Sequence, residues 1–176
     1  MNIRRQLKPS AFVRRFAQRV VESARGRPIA DIGCGSGRNA IFVVQMGCTV
    51  ICIDRDLSRL RKEELDLPDR KRLRVLLLDV QKEPWPFAAC TLGGIVIVDF
   101  LPWLLFPYLT ESLVPNGCLL LETVSGRGGN FQELPKAGQL EAAFDRNLMI
   151  EDYKEKYVGP RASGAVSVKM LGRRRL

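Results

Sequence analysis

The 176-residue chain contains no histidine. Histidine is the usual general base near neutral pH and the commonest metal ligand, so proton transfer is restricted to carboxylates, tyrosine, cysteine or lysine. The five cysteines, at positions 34, 48, 52, 90 and 118, show no C-x-x-C spacing. They predict reduced, buried thiols in a cytoplasmic protein, and they exclude a disulfide framework and a zinc site. No metal ligands are predicted.

The chain also lacks a long apolar segment. No apolar run reaches the roughly 18–20 residues of a membrane span, and residues 1–27 are too polar for a secretory signal. Apolar residues nevertheless make up 46% of the sequence, which excludes disorder as a class. A length of 176 residues suits a single domain with a substantial core.

Acidic residues are scarce at both ends of the chain. Of the formal net charge of +9, residues 1–27 contribute +7 and residues 161–176 contribute +5, which leaves −3 for the middle. Such basic flanks bind RNA, an anionic lipid surface or an acidic substrate, or they are simply solvated charge. Aromatic residues that would stack bases are not interleaved with the C-terminal arginines, so no nucleic-acid motif is present.

A glycine-rich turn organises the rest of the chain. Residues 28–40 read PIADIGCGSGRNA, and further apolar residues follow as far as Gly47. The pattern predicts a strand, a tight turn and a helix that ends at Gly47. Glycine at every second position of the turn allows positive φ and lets a ligand lie against the backbone. A dinucleotide-binding turn needs glycine where Arg38 stands, so the spacing opposes an NAD site.

Three later apolar runs each end in an acid, at Asp54, Asp79 and Asp99. Ligands of open α/β sheets bind beyond the carboxyl ends of the strands, so these acids are predicted to gather near the glycine turn. Asp54 lies about twenty residues after the turn, where a carboxylate accepts hydrogen bonds from both ribose hydroxyls. That role is shared by several nucleotide-containing cofactors.

Periodicity predicts the helices. A helix with Ser10 as its N-cap covers residues 11–21, and its Phe12 either packs in the core or covers a ligand. A charged helix is expected from Asp56 to about residue 65. An apolar helix is expected from residue 101 to 113, ended by residues 115–117, and a short helix at 138–144.

The remaining segments are strands and loops. Strands are predicted at 118–124, 148–157 and 165–171, with a glycine-containing loop at 125–137. Trp85 and Phe87 follow Pro84 in a segment that cannot be regular helix, and they are interpreted as packing residues.

The D-x-G-x-G-x-G pattern that begins at Asp31 resembles motif I of the class I S-adenosylmethionine-dependent methyltransferases. The strand, acid and W-P-F-type segment from Asp79 to Phe87 resembles the third motif of that family, and L-x-P-x-G at 113–117 also resembles it. The resemblance implies a doubly wound, mostly parallel seven-stranded sheet with order 3-2-1-4-5-7-6, strand 7 antiparallel and helices on both faces. Within one domain, 1–176, it implies a basic N-terminal helix region (1–27), a cofactor-binding core (28–124) and a closing loop, helix and hairpin (125–176).

The resemblance also implies a cofactor, S-adenosylmethionine, with S-adenosylhomocysteine as product. In the family the loop backbone lies under the methionine part, the first acid anchors its amino group directly or through water, and the third-motif acid receives the adenine amino group. The implied cofactor-binding residues are Asp31, Gly33, Cys34, Gly35, Gly37, Arg38, Asn39, Asp54, Arg55, Asp79, Val80 and Asp99. Asp99 is in addition the candidate catalytic residue, as a base or as a substrate orienter.

Shorter segments, among them 9–13, 34–39, 98–101 and 135–140, are similar to the small bacterial tellurite-resistance-type methyltransferases. Relatives of that type often carry a histidine soon after the fourth strand, and this chain has none, so no substrate is inferred from such a residue. The predicted function is methyl transfer to an unidentified small-molecule acceptor. The alternatives are an RNA-associated cofactor-binding module with little or no turnover and an NAD-linked enzyme. The sequence does not predict the oligomeric state.

Overall fold

A computed structural model describes residues 8–62, 65–123, 134–159 and 163–176. The strands are β1 (Ile29–Ile32), β2 (Val50–Asp54), β3 (Leu73–Leu77), β4 (Leu92–Val98), β5 (Leu113–Glu122), β6 (Leu148–Tyr157) and β7 (Val166–Arg174). The helices are α1 (Ala11–Ala24), α2 (Arg38–Gln45), α3 (Leu67–Arg70), α4 (Phe106–Ser112) and α5 (Gln139–Phe144), with a 3₁₀ turn at Trp103–Leu105.

The seven strands form one sheet with the order β3-β2-β1-β4-β5-β7-β6, which confirms the order that the resemblance to the methyltransferases implies. The first five strands in this order are parallel, and β7 runs antiparallel to both β5 and β6. Every residue of β1 and of β4 is buried. Strands covered on both faces read as continuous apolar runs, which is why the sequence pattern identified them.

Helices cover both faces of the sheet. On one face α1 and α2 pack on the strands, with Phe12, Val20 and Val44 in the core. On the other face α4 and α5 contribute Leu109 and Phe144 to a second core. In the described part of the chain, no helix is both long enough and apolar enough to cross a bilayer.

Helix α1 begins as predicted. The Ser10 hydroxyl accepts hydrogen bonds from the Phe12 and Val13 amides, at 3.1 and 3.4 Å. Phe12 is only 5% exposed and belongs to the core, so the packing alternative is confirmed. Arg15 and Arg19 on the outer face of α1 form ion pairs with Asp152 (3.3 Å) and Glu151 (2.8 Å) of β6.

The prediction of a charged helix from Asp56 to about residue 65 is wrong over its described residues, 56–62 and 65, because none of them is α-helical. The Asp54 carboxylate accepts the Asp56 amide at 3.0 Å, and the Asp56 carboxylate accepts the Ser58 amide at 2.9 Å. These bonds form two successive aspartate turns over residues 54–58.

The predicted apolar helix at 101–113 is shorter and interrupted. Pro102 precedes the 3₁₀ turn and Pro107 stands in the first turn of α4, which ends at Ser112. The segment that was expected to end this helix belongs instead to β5. There Leu92 pairs with Leu113 but Gly94 pairs with Cys118, so residues 114–117 bulge from the strand, with Asn116 at φ +66°.

The smaller predictions have mixed outcomes. Strand β6 has the predicted bounds, β7 continues three residues beyond prediction to Arg174, and α5 is confirmed. Trp85 and Phe87 contact each other edge-on, at 5.1 Å between ring centroids, and pack on the second core. All five cysteines are unpaired, but Cys90 is exposed, which corrects the expectation that all are buried. Most of the loop predicted at 125–137 lies outside the described residues.

Candidate functional site

The carboxyl ends of β1, β2 and β4 open onto a cleft of about 900 Å³. Ten of the twelve predicted cofactor-binding residues line it: Gly33, Cys34, Gly35, Arg38, Asn39, Asp54, Arg55, Asp79, Val80 and Asp99. Asp31 and Gly37 are not among the lining residues. The structure thus brings together side chains from four separate loops, as the strand-end argument predicts.

The three alternating glycines all adopt positive φ, at +70°, +53° and +76°. They serve two purposes. A Cβ on Gly37 would lie 2.3 Å from Leu60, and one on Gly33 would lie 3.2 Å from the Phe100 ring, so both positions are closely packed. A Cβ on Gly35 would meet nothing within 4 Å. Gly35 is therefore the position where bare backbone faces open space in the cleft.

Asp54 joins the end of β2 to this glycine loop. One carboxylate oxygen accepts the Gly35 amide at 2.8 Å, and the other accepts the Asp56 amide at 3.0 Å. A carboxylate has about four lone-pair sites, so both oxygens retain capacity for further donors such as a vicinal diol. The residue is half-buried and lines the cleft.

A tight turn after β3 forms the next wall of the cleft. The Asp79 carboxylate accepts the Gln81 amide at 3.1 Å and lies 3.4 Å from the Lys82 ammonium. This turn fixes Val80, which is 8% exposed and lines the cleft. Among the described residues the Val80 amide has no acceptor. It is a free donor at the cleft wall.

Arg38 and Asp99 form an ion pair across the cleft mouth, with 2.9 Å between guanidinium and carboxylate. Arg38 begins α2, and Asp99 follows β4 with a left-handed backbone at φ +59°. Left-handed backbone is uncommon outside glycine, although aspartate adopts it more readily than most residues. The side chains are 36% and 54% exposed, so both charges are accessible to a ligand.

Asp31 lies beneath the loop rather than in its wall. The side chain is 2% exposed, and its carboxylate accepts the Ala40 amide at 3.1 Å. Burial raises the pKa of Asp31 to about 7, although the Ala40 hydrogen bond and the nearby Arg38 charge act in the opposite direction. The neighbouring thiol of Cys52 has a raised pKa because it is hydrogen-bonded to Cys34 and buried, so it stays protonated.

Sequence reasoning missed several lining residues, notably Arg59, Gln81 and Phe100. Phe100 follows the predicted residue Asp99, and Gln81 follows the predicted residue Val80. Both lie just after a strand, so the strand-end rule could have identified them. Arg59 fell in the segment wrongly predicted as helix. Glu122, another strand-end acid, is not a lining residue. Its carboxylate accepts the Ser10 hydroxyl and pairs with Lys169 at 2.7 Å.

Comparisons with known proteins give structural likeness only. No family model matches the chain, and no curated protein matches it. Many solved structures do match. One is an S-adenosylmethionine-dependent methyltransferase from Mesorhizobium loti, with 14% identity, a TM-score of 0.66, and coverage of 94% of this chain and 99% of that one. The chain has the fold of these methyltransferases.

Two further matches show the range of that fold. Geranyl diphosphate methyltransferase, in complex with S-adenosylmethionine, shares 15% identity at a TM-score of 0.66, covering 90% of this chain and 84% of that one. The [4+2]-cyclase SpnF shares 15% identity at a TM-score of 0.64, covering 92% and 80%. One fold therefore accompanies two reactions, and the function must be argued from the site.

Proposed function

We propose that this protein is an S-adenosylmethionine-dependent methyltransferase that acts on a small-molecule acceptor. The observation that carries the proposal is the unit formed by Gly35 and Asp54. It combines open backbone in the cleft with a carboxylate bonded to that backbone at 2.8 Å. The residues that line the cleft fit the cofactor, because the cleft offers hydrogen-bonding or charged groups for its ribose, its adenine and its amino acid moiety. S-adenosylmethionine supplies an activated sulfonium methyl group when bound.

Residue roles follow from the charges and donors around the cleft. Asp54 would accept hydrogen bonds from the two ribose hydroxyls, in addition to its loop bonds. The free Val80 amide and the Asp79 carboxylate would hold the adenine edge, as donor and acceptor. Arg38 and Asp99 offer one positive and one negative group at the cleft mouth, which complements the carboxylate and ammonium of an amino acid moiety.

Asp99 orients the acceptor, or receives its proton, from the same position. No histidine exists for this purpose, and Asp99 is the most exposed acid lining the cleft. The chain's main contribution is alignment of the reactants, which is worth about 7–11 kcal/mol in favourable cases. The narrower likeness to tellurite-resistance-type enzymes rests on sequence segments alone. The five free cysteines suit a cytoplasmic location.

Calorimetric titration with S-adenosylmethionine and S-adenosylhomocysteine tests the proposal, with Gly35→Asn as the key variant. Asparagine tolerates the left-handed backbone of Gly35, but its side chain would occupy the open space beside the loop. We expect micromolar binding to the wild type and at least a hundredfold weaker binding to Gly35→Asn.

Gly138→Asn is the matched control, because Gly138 also has positive φ (+73°) and open space but does not line the cleft. Its affinity should equal that of the wild type. Lack of binding to folded wild-type protein would overturn the proposal, and saturable NADH binding would then favour the NAD-linked alternative.

Asp54→Ala should weaken the binding of S-adenosylmethionine by tenfold or more, about 1.4 kcal/mol. The substitution removes the carboxylate proposed for the ribose and releases the Gly35 amide. The same titration measures the effect. Asp56→Ala is the control, because it breaks the adjacent turn without removing a residue that lines the cleft. Equal losses in the two variants would indicate a role for Asp54 in loop shape alone.

A further inference from the structure

The arginines of this basic chain differ in their partners. Three of them pair with acids of β6: Arg15 pairs with Asp152, and Arg19 and Arg173 both pair with Glu151. These pairs hold α1 against β6 and β7. Part of the positive charge near the two ends of the chain is therefore compensated by ion pairs with β6.

A second group of cations lies at the amino ends of the parallel strands, opposite the cleft. We define this surface, the base, as residues 24–28, 46–49, 66–72, 88–91, 111–112, 145–147 and 174–176. Its cationic residues are Arg25, Arg27, Arg70, Lys71, Arg72, Arg146, Arg174 and Arg175. Its acidic residues are Asp66, Asp69, Glu111 and Asp145. Cations thus outnumber acids two to one.

Hydrogen bonds show that the base is continuous across the sheet. Val50 donates its amide to the Arg72 carbonyl at 2.9 Å, and Arg72 donates to the Gly47 carbonyl at 2.6 Å. Gly93 donates to the Pro28 carbonyl at 2.9 Å, and the Arg174 guanidinium lies 3.2 Å from the Cys90 sulfur. Six strand spacings of about 4.8 Å make the row of cations about 29 Å long.

A concave site lies at the β7–β6 end of the row. There Arg146, Arg174 and Arg175 line a pocket of about 350 Å³, and Glu111 is the one acid among its lining residues. Arg174 is fixed by hydrogen bonds to the carbonyls of Glu111 (2.9 Å) and Leu113. Arg146 and Arg175 are exposed and form no ion pair within the described part of the chain. Guanidinium forks in a concave site suit the oxygens of a phosphate group.

We propose that the base binds a single strand of nucleic acid through its phosphates, with one phosphate in the pocket of Arg146, Arg174 and Arg175. The row follows one end of the strands of the sheet, so it matches one backbone rather than the two of a duplex. A length of about 29 Å spans several nucleotides of a single strand. None of the residues that define the base surface lines the cleft, so this inference is independent of the proposed function.

Binding of fluorescent 12-nucleotide single strands, as RNA and as DNA, tests the proposal by anisotropy between 50 and 200 mM salt. Counterion release predicts a linear fall of log K with log salt, with a slope of about 0.7 per phosphate contact on a single strand. The double variants Arg25→Gln/Arg27→Gln and Arg146→Gln/Arg175→Gln should each reduce the slope by about 1.4 and the affinity at 50 mM salt at least tenfold.

The matched control is Arg14→Gln/Lys156→Gln, which removes the same charge from exposed positions outside the base. Its affinity and slope should equal those of the wild type, and RNA and DNA should bind similarly. Equal binding by all variants, no binding at 50 mM salt, tighter binding of a duplex, or binding only of anionic phospholipid vesicles would each overturn the proposal. Titration of the same variants with S-adenosylmethionine reports on the cleft separately.

Discussion

Asp31→Asn should make the protein more stable at pH 8 than the wild type, with an advantage that disappears on acidification. Burial raises the pKa of Asp31 from 3.8 to about 7 in the folded protein. Below pH 3.8 the carboxyl is protonated in both the folded and the unfolded chain. Between these values only the folded chain retains the proton, so the wild type loses stability as the pH rises. The loss is complete above pH 7 and has a ceiling of roughly 4 kcal/mol.

Urea unfolding at several pH values between 4 and 8 measures this effect. Asparagine has nearly the same shape and still accepts the Ala40 amide, so the difference in free energy of unfolding isolates the charge of Asp31. Asp145→Asn, which removes the same charge from an exposed position, is the matched control and should show no comparable advantage at pH 8. An Asp31→Asn variant that is less stable than the wild type by the same amount at every pH would contradict the argument.

Gly93→Ala should be among the most destabilising single-methyl additions in this chain. A Cβ on Gly93 would lie 2.5 Å from the Ala24 Cα and 2.6 Å from its carbonyl oxygen, at the end of α1. Backbone atoms cannot rotate away, so the helix end must shift from the sheet. Overpacking costs about 1–3 kcal/mol and occasionally more, and we expect about 3 kcal/mol here. For a chain of this size that lowers Tm by about 6–12 °C.

Gly94→Ala provides the comparison, because its Cβ would meet a side-chain methyl of Val20, at 2.8 Å, rather than backbone. Calorimetric melting should show a smaller loss for Gly94→Ala than for Gly93→Ala. Adding Val20→Ala removes the clashing methyl and should recover part of the loss at position 94, but none at position 93. If Val20→Ala restored stability at both positions, the result would mean that the whole of α1 shifts to accommodate the added methyl group.

The resemblance to the methyltransferases was sufficient to predict the order of the sheet, and sequence patterns located several strands and the acids around the cleft. Apolar runs buried on both faces revealed β1, β2 and β4, and the strand-end rule then placed Asp54, Asp79 and Asp99 around one opening. Local chemistry was also readable where one side chain decides the structure, as at the Ser10 N-cap. The buried strands, the acids at their ends and the N-cap can be predicted because each depends on residues that are close together in the sequence.

Two of the failures depend on packing that the local pattern does not contain. The missing helix after Asp54 is a separate case, because there the Asp54 and Asp56 carboxylates accept amides two residues ahead and form turns. The bulge at 114–117 depends on the register between β4 and β5. The pKa of Asp31 is raised because the residue is buried, and its burial depends on how α2 packs against β1. The sequence pattern does not contain that packing, so the shift in pKa could not be predicted.

The length of the strands also sets the distance between the base, at their amino ends, and the cleft, at their carboxyl ends. Strand β2 has five residues, so about 17 Å of strand separates the base from the cleft. A polymer held along one edge and a small molecule held at the other would not compete for space. Their binding free energies would add, and a tethered copy of the protein would keep its opening free. The molecule would then behave as an anchored catalyst, whose location and chemistry are set at opposite ends of the same strands.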